Sequence, residues 1–176
     1  MIANKQEGRQ KRRTRLRLFT FMLLATCIVL LNLPLFPSLV IRDSRSEQLV
    51  WSSRIKNDAT FGMRWTHSIH RSSIEELYRI EQGQIILSEM TFHDYGIGME
   101  NDLAPGEELI FQDGQFRVLH MNRVFPALHL ITGQVRADHT LLFAGTQIPL
   151  RSLIEPGSAI TIQAEKRSIL SEIGGY

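Results

Sequence analysis

The sequence predicts an all-β domain, an antiparallel β-sandwich or partly closed barrel, preceded by one N-terminal transmembrane helix. Three observations carry this. From about residue 49 onward nearly every segment is short, alternates apolar and polar side chains, and ends in a turn within eight to twelve residues, the spacing of sandwich and barrel strands. Residues 18–41 hold no charged side chain, and a strongly basic stretch precedes them. Cys27, the single cysteine, lies in that apolar segment, so the rest of the chain has neither disulfides nor a thiolate metal site.

The charge is unevenly placed. Residues 1–17 contain seven of the 20 lysines and arginines and one of the 18 acids, which leaves 13 basic and 17 acidic groups after residue 41. The alkaline character belongs to the first segment, and a nucleic-acid-binding surface on the body is excluded as a reading. Residues 1–17 are read as a basic cytoplasmic tail and 18–41 as a transmembrane anchor. Some 20 residues at about 1.5 Å each cross a bilayer core of about 30 Å. Pro34 and Pro37 would end the helix at the membrane surface. Positive flanking charge holds the N-terminus in the cytoplasm, so the C-terminal domain is expected outside the cytoplasmic membrane of a single-pass protein.

Two readings compete for this segment. A cleaved signal peptide requires a small-residue cleavage site, and none stands out. The run Leu24-Ala25-Thr26-Cys27 is similar to a lipoprotein signal, but threonine is large for the position before the cysteine and the following IVLLNLPLF is too apolar for a mature lipoprotein start. An uncleaved anchor fits best.

Residues 42–48 read as a polar linker and 49–165 as the extracytoplasmic β domain. Strands are expected from Leu49, across Phe61–Ile69, Ile74–Ile80 and Ile85–Phe92, then Leu109–Phe111 and Gln115–His120 around an Asp113-Gly114 hairpin turn. Leu128–Ile131, Thr140–Ala144, Gln147–Leu150 and Ala159–Glu165 complete the set, and the tail 166–176 has room for one helical turn. A long Gly- and Pro-bearing loop, HDYGIGMENDLAPGEE, interrupts the strands after Phe92.

The chemistry concentrates in the hairpin FGMRWTHSIHRSSIEELYRI, residues 61–80. If residues 70–73 form its loop, Ile69 opposes Ile74, Trp65 opposes Tyr78 and Met63 opposes Ile80. The same register sets His67 directly across from Glu76 on the apolar face. An orienting carboxylate would hold the imidazole's tautomer and raise its pKa. The bland alternative is a buried histidine that only fixes strand register. Hydrolysis using His67 with Ser68 or Ser72 is the weaker functional reading, because Ser68 points to the opposite face and no G-x-S-x-G elbow is present.

A metal set of His67 and Glu76 with His93 or Asp94 would have to assemble by folding alone, since no compact ligand spacing appears, and the sequence leaves the metal question open. Asp94, Glu100 and Asp102 form a still weaker calcium set. Gly96 and Gly98 allow a close backbone approach to a ligand or merely a tight turn. Their stretch lacks the third glycine and following helix of a dinucleotide site, and no cofactor is implied. Glu89, a carboxylate on an apolar strand, requires a partner, with Arg64, Arg79 or a backbone turn as candidates.

The order of these residues carries a resemblance. His67-Ser68-Ile69, Arg71-Ser72, Glu76 and Tyr78, then Glu89, Phe92 and Tyr95-Gly96-Ile97-Gly98-Met99, resemble the bacterial domain-of-unknown-function family numbered eighteen-fifty, over roughly residues 61–99 and more weakly beyond. His70 stands where the pattern has glutamate, and Glu100 where it has proline. The resemblance implies a membrane-anchored protein often encoded beside the fused permeases of TRAP-type (TAXI class) transporters. The expected function is therefore an accessory or interaction module for such a permease, with a binding site of His67, Ser68, Ser72, Glu76, Tyr78, Glu89, Gly96 and Gly98. A metal- or small-ligand-binding domain centred on His67 and Glu76 is the alternative.

Overall fold

The computed structural model describes residues 2–56, 58–67, 71–94, 103–133 and 138–173, with side chains from 15 to 172. Ser68, Gly96 and Gly98, and with them Glu100 and Asp102, lie outside the described residues. The chain divides into two compact units, residues 1–36 with 166–175, and residues 37–165.

The first unit is dominated by helix α1, Ile2–Asn32. Its window Arg15–Asn32 is long and apolar enough to cross a membrane. Leu18, Phe19, Phe21, Met22, Leu23 and Leu24 are all more than half exposed. Thr20, Thr26 and Asn32 of this stretch hydrogen-bond to the helix's own backbone. Thr20 Oγ1 donates to the Leu16 carbonyl, Thr26 Oγ1 to Met22 and Asn32 Nδ2 to Ile28, each at 2.9 Å. Such back-bonding engages both threonine hydroxyls and one amide N–H of Asn32 on the helix itself, which suits a lipid environment. The expected helical turn in the tail is α2, Ile169–Ile173. Ser168 and Ser171 cap it reciprocally: the Ser171 N–H donates to Ser168 Oγ and the Ser168 N–H to Ser171 Oγ.

The second unit is a two-sheet antiparallel fold, not closed into a barrel, so the all-β expectation holds. Twelve strands are present among the described residues. They are β1 Phe36–Asp43, β2 Leu49–Arg54, β3 Thr60–Thr66, β4 Ser73–Glu81, β5 Gln84–Phe92 and β6 Glu108–Gln112. The rest are β7 Gln115–Leu119, β8 Arg123–Phe125, β9 Leu128–Ile131, β10 Thr140–Phe143, β11 Thr146–Pro149 and β12 Ala159–Arg167. The smaller sheet has the order β2-β1-β12-β9; the larger runs β11-β10-β3-β4-β5-β7-β6, with β8 beside β5. Three hairpins turn through paired positive φ angles, Gln82-Gly83, Asp113-Gly114 and Ala144-Gly145, the geometry that matches strand twist.

Strand β1 corrects the expected boundaries. The helix stops at Asn32, and residues 36–43, assigned above to the end of the anchor and the start of the linker, are a strand between β2 and β12. Leu39, Val40 and Ile41 are fully buried. A strand with consecutive buried side chains reads as a continuous apolar run, which in sequence is indistinguishable from a longer membrane helix. Strand β8 was also not expected from the sequence; three residues are too few to show a period.

The inner face of the larger sheet carries Phe61 and Met63 from β3, Ile74, Tyr78 and Ile80 from β4, and Ile85, Leu87 and Phe92 from β5, all buried. They pack with Leu39, Ile41, Ile160 and Ile162 of the smaller sheet. In β5 the register shifts opposite Leu77 and Tyr78, which pair with Glu89 and Leu87. Ser88 is the extra residue of this bulge, and its Oγ donates to the Leu77 carbonyl at 2.9 Å. The bulge allows Leu87 and Met90, three positions apart, to face the same side.

Candidate functional site

The first hairpin is paired four residues away from the expected register. Phe61 opposes Tyr78, Met63 opposes Glu76 and Trp65 opposes Ile74. The Phe61 and Tyr78 rings stack with centroids 5.0 Å apart and planes 13° from parallel. His67 is therefore not across from Glu76. It closes the loop, donating its backbone N–H to the Ser72 carbonyl at 2.9 Å and accepting from the Arg71 N–H at 3.0 Å, with Arg71 at φ 57°. Four strand residues span about 13 Å, too far for an imidazole–carboxylate bond. Ser72 thus serves the loop through its backbone. The His67 side chain is buried, its ring 6.1 Å from that of Trp65.

Glu89 is separated from Glu76 by the sheet itself. It pairs with the half-exposed Leu77 while Glu76 pairs with Met90, so the two carboxylates lie on opposite faces. The partner Glu89 requires is Arg117, whose Nε donates to Oε1 at 2.8 Å, rather than Arg64 or Arg79. Arg64 instead bonds Glu75, and Arg79 bonds Glu81. His93, proposed as a metal ligand, has its Nε2 2.9 Å from Gln115 Nε2. Among the described residues no group of three or more histidines and acids is placed to hold a metal ion.

The structure brings a different set to Glu76. A pocket of about 380 Å³ opens between the two sheets. Strands β3 and β4 contribute Met63, Trp65, Glu76 and Tyr78. Phe125 comes from the end of β8 and Ala127 from the β8–β9 connection, Leu128, His129 and Leu130 from β9, and His139 from the residues before β10. The volume falls in the range of small-molecule sites, and the lining is mostly apolar with a few convergent polar groups, as such sites are.

Each polar group is held by local structure. The Tyr78 hydroxyl, two positions along β4 and on the same face, donates to Glu76 Oε2 at 2.9 Å. The Trp65 side chain, whose one donor is the indole N–H, hydrogen-bonds the same carboxylate. Cross-strand neighbours of Glu76 are Met63 and Met90, both apolar. Burial pushes the Glu76 carboxyl above the ordinary carboxylate range, and the bonds from Tyr78 and Trp65 only partly oppose it. Burial, then the adjacent Glu76 charge, pushes the Tyr78 hydroxyl far up, so it stays a donor at every physiological pH.

His139 extends the β10–β3 register by one position to sit beside Trp65, and their rings stack at 6.3 Å and 28°. The Gly133 N–H donates to His139 Nδ1 at 3.2 Å, which requires a lone pair there and places the proton of the neutral ring on Nε2. Burial depresses the His139 pKa, with Asp138 opposing, in agreement with that neutral form. His129 is exposed, its Nδ1 3.1 Å from Thr161 Oγ1.

Of the site expected from sequence, Glu76 and Tyr78 lie in one pocket, whereas His67, Ser72 and Glu89 do not line it. Sequence reading missed Phe125, Ala127, Leu128, Leu130 and His139. They arrive from β8, the β8–β9 connection, β9 of the other sheet and the residue before β10, and no spacing within the hairpin signals them. Trp65 was recognised as an inward residue but not as a partner of Glu76. Chemically, the pocket offers one carboxylate with two neutral donors, aromatic walls and a neutral imidazole.

No curated protein and no solved structure matches the chain. Residues 61–150 match the family described as a domain of unknown function (DUF1850). That span runs from β3 through β11, covers more than half of the chain and contains Trp65, Glu76, Tyr78 and His139, so the chain belongs to this family.

Proposed function

We propose that the protein is a membrane-tethered small-ligand-binding domain, its β body outside the cytoplasmic membrane and its pocket centred on Glu76. One observation carries the reading: a carboxylate held by Tyr78 and Trp65 faces a 380 Å³ space between two sheets instead of being sealed in the core. A partly buried carboxylate with two neutral donors and, among the described residues, no cation beside it is costly to the fold, and a ligand can supply what is missing. The apolar helix and its basic flank support the tether and its orientation. The test is ligand-observed NMR of a panel of small aromatic and aliphatic compounds against the full chain in lipid nanodiscs. Compounds that bind should lose their signal changes in Ala127→Trp, which fills the pocket. A panel with no Ala127→Trp-sensitive member sinks the reading.

The partner in this proposal is the permease of a TRAP-type transporter, a reading supported by the family resemblance and by the apolar helix that would hold the domain beside it. Copurification from detergent at native expression is the expected result. Absence of the permease from that preparation would remove it as partner and leave the pocket reading untouched.

A further inference from the structure

We infer that the Glu76 pocket selects small protonated amines with an apolar or aromatic body, over neutral and anionic molecules of the same shape. The inference rests on the ligand-binding reading above and adds the charge class of the ligand.

Among the described residues that line the pocket Glu76 is the only acid, and none is lysine or arginine. An ionised carboxylate has roughly four acceptor sites. Two are engaged, by the Tyr78 hydroxyl and the Trp65 side chain, and both donors are neutral. The site therefore holds unmatched negative charge and unused acceptor capacity. The other described titratable groups of the pocket do not cancel it. Tyr78 stays protonated, His139 is held neutral by the Gly133 N–H, and His129 is exposed with Thr161 at its Nδ1. An anionic ligand would meet Glu76 with no counter-cation among the described lining residues. A neutral one would leave the charge unpaired in an apolar surround. An ammonium supplies both the charge and the missing donors, and charge-assisted bonds of this kind are about twice as strong as neutral ones.

The walls point the same way. Trp65, Tyr78 and Phe125 present aromatic surface around the carboxylate, which attracts a cation. Met63, Leu128 and Leu130 offer an apolar lining for the ligand's body.

The experiment uses the full chain in phosphatidylcholine nanodiscs, a zwitterionic surface that does not gather amines. Trp51→Phe leaves Trp65 as the single tryptophan; Trp51 packs against Phe143, away from the pocket. Phenethylamine, 2-phenylethanol and phenylacetate are titrated while Trp65 fluorescence is followed. The amine should bind at least about tenfold more tightly than the alcohol, with phenylacetate weakest. Glu76→Gln should abolish that preference while keeping alcohol binding. Equal affinities for the three probes in the unaltered pocket would overturn the charge selection, a comparison that needs no Glu76 variant, and so would a Glu76→Gln pocket that keeps the amine preference. Both outcomes would leave the ligand-binding reading standing. Failure of all three probes to bind would overturn the inference and weigh against the pocket itself.

Discussion

Tyr78 donates its hydroxyl hydrogen to Glu76 Oε2 at 2.9 Å from two positions along the same strand, so one hydrogen bond ties the buried wall of the sheet to the charged floor of the pocket. The contact is rigid at its tyrosine end, because the Tyr78 ring stacks on Phe61. Replacing Tyr78 by phenylalanine keeps that stack and deletes the donor. The carboxylate then loses one of its two protein bonds in an apolar setting. Tyr78→Phe should destabilise the protein by about 1–3 kcal/mol above the pH at which Glu76 ionises, and by less below it. It should also push the Glu76 pKa higher still. Chemical denaturation at two pH values measures the first effect; carboxyl NMR titration measures the second.

Glu76 itself should be a liability to the fold. Its folded pKa lies above the ordinary 4.5, so the folded state holds a proton that the unfolded chain has already released. Stability from this group therefore falls as pH rises from about 4.5 to the folded pKa, and stays low beyond it. Glu76→Gln removes the titration while its amide oxygen still accepts from Tyr78 and Trp65. The variant should match the parent in acid and exceed it at neutral pH. Denaturation midpoints across pH 4–8 check this, and parallel curves for the two proteins would contradict the assignment.

His139 acts in the opposite sense. Its pKa is depressed below the usual 6.5, so the unfolded chain takes up a proton before the folded one does. The stability it contributes is full above about pH 6.5 and is lost as pH falls through the folded value. Protonation would also break the bond from the Gly133 N–H to Nδ1. His139→Gln can keep that bond through its amide oxygen and should flatten the loss of stability as pH falls below about 6.5. The imidazole's own titration by NMR should show a midpoint below that of an exposed histidine.

Much of the fold was legible because strand alternation and Gly-bearing turns survive into the structure nearly residue for residue. Leu128–Ile131, for example, is a strand with the bounds the sequence predicts. The hairpin register was not legible, for a definite reason. Sliding β3 against β4 by four residues keeps every side chain on its face, so the apolar pattern fits both pairings equally. What separates them is the Phe61–Tyr78 stack and the closed turn from His67 to Ser72, neither visible in a period-two pattern. Glu76 and Tyr78 were recognisable as inward polar residues on an apolar strand. Their real companion His139 follows them by more than 60 positions and reaches them only through the β10–β3 ladder. Glu89 misled because an acid on an apolar strand looks like a site. The bulge at Ser88 and the Arg117 partner show it serving the outer face.

The boundary between helix and sheet gives the sharpest test of the architecture. A chain that begins at Leu35 retains all of β1; one that begins at Arg42, just past the anchor expected from sequence, loses Leu39, Val40 and Ile41. Each of the three is fully buried, and burial of such side chains stabilises by about 1.5–3 kcal/mol apiece. Their loss totals about 5–9 kcal/mol, comparable with the whole stability of a domain of this size, before the exposed edges of β2 and β12 are considered. The chain from Leu35 should therefore unfold cooperatively and give dispersed amide NMR signals. The chain from Arg42 should give neither. A cooperative transition in that shorter chain would mean that β1 is dispensable, and that the smaller sheet does not need its centre.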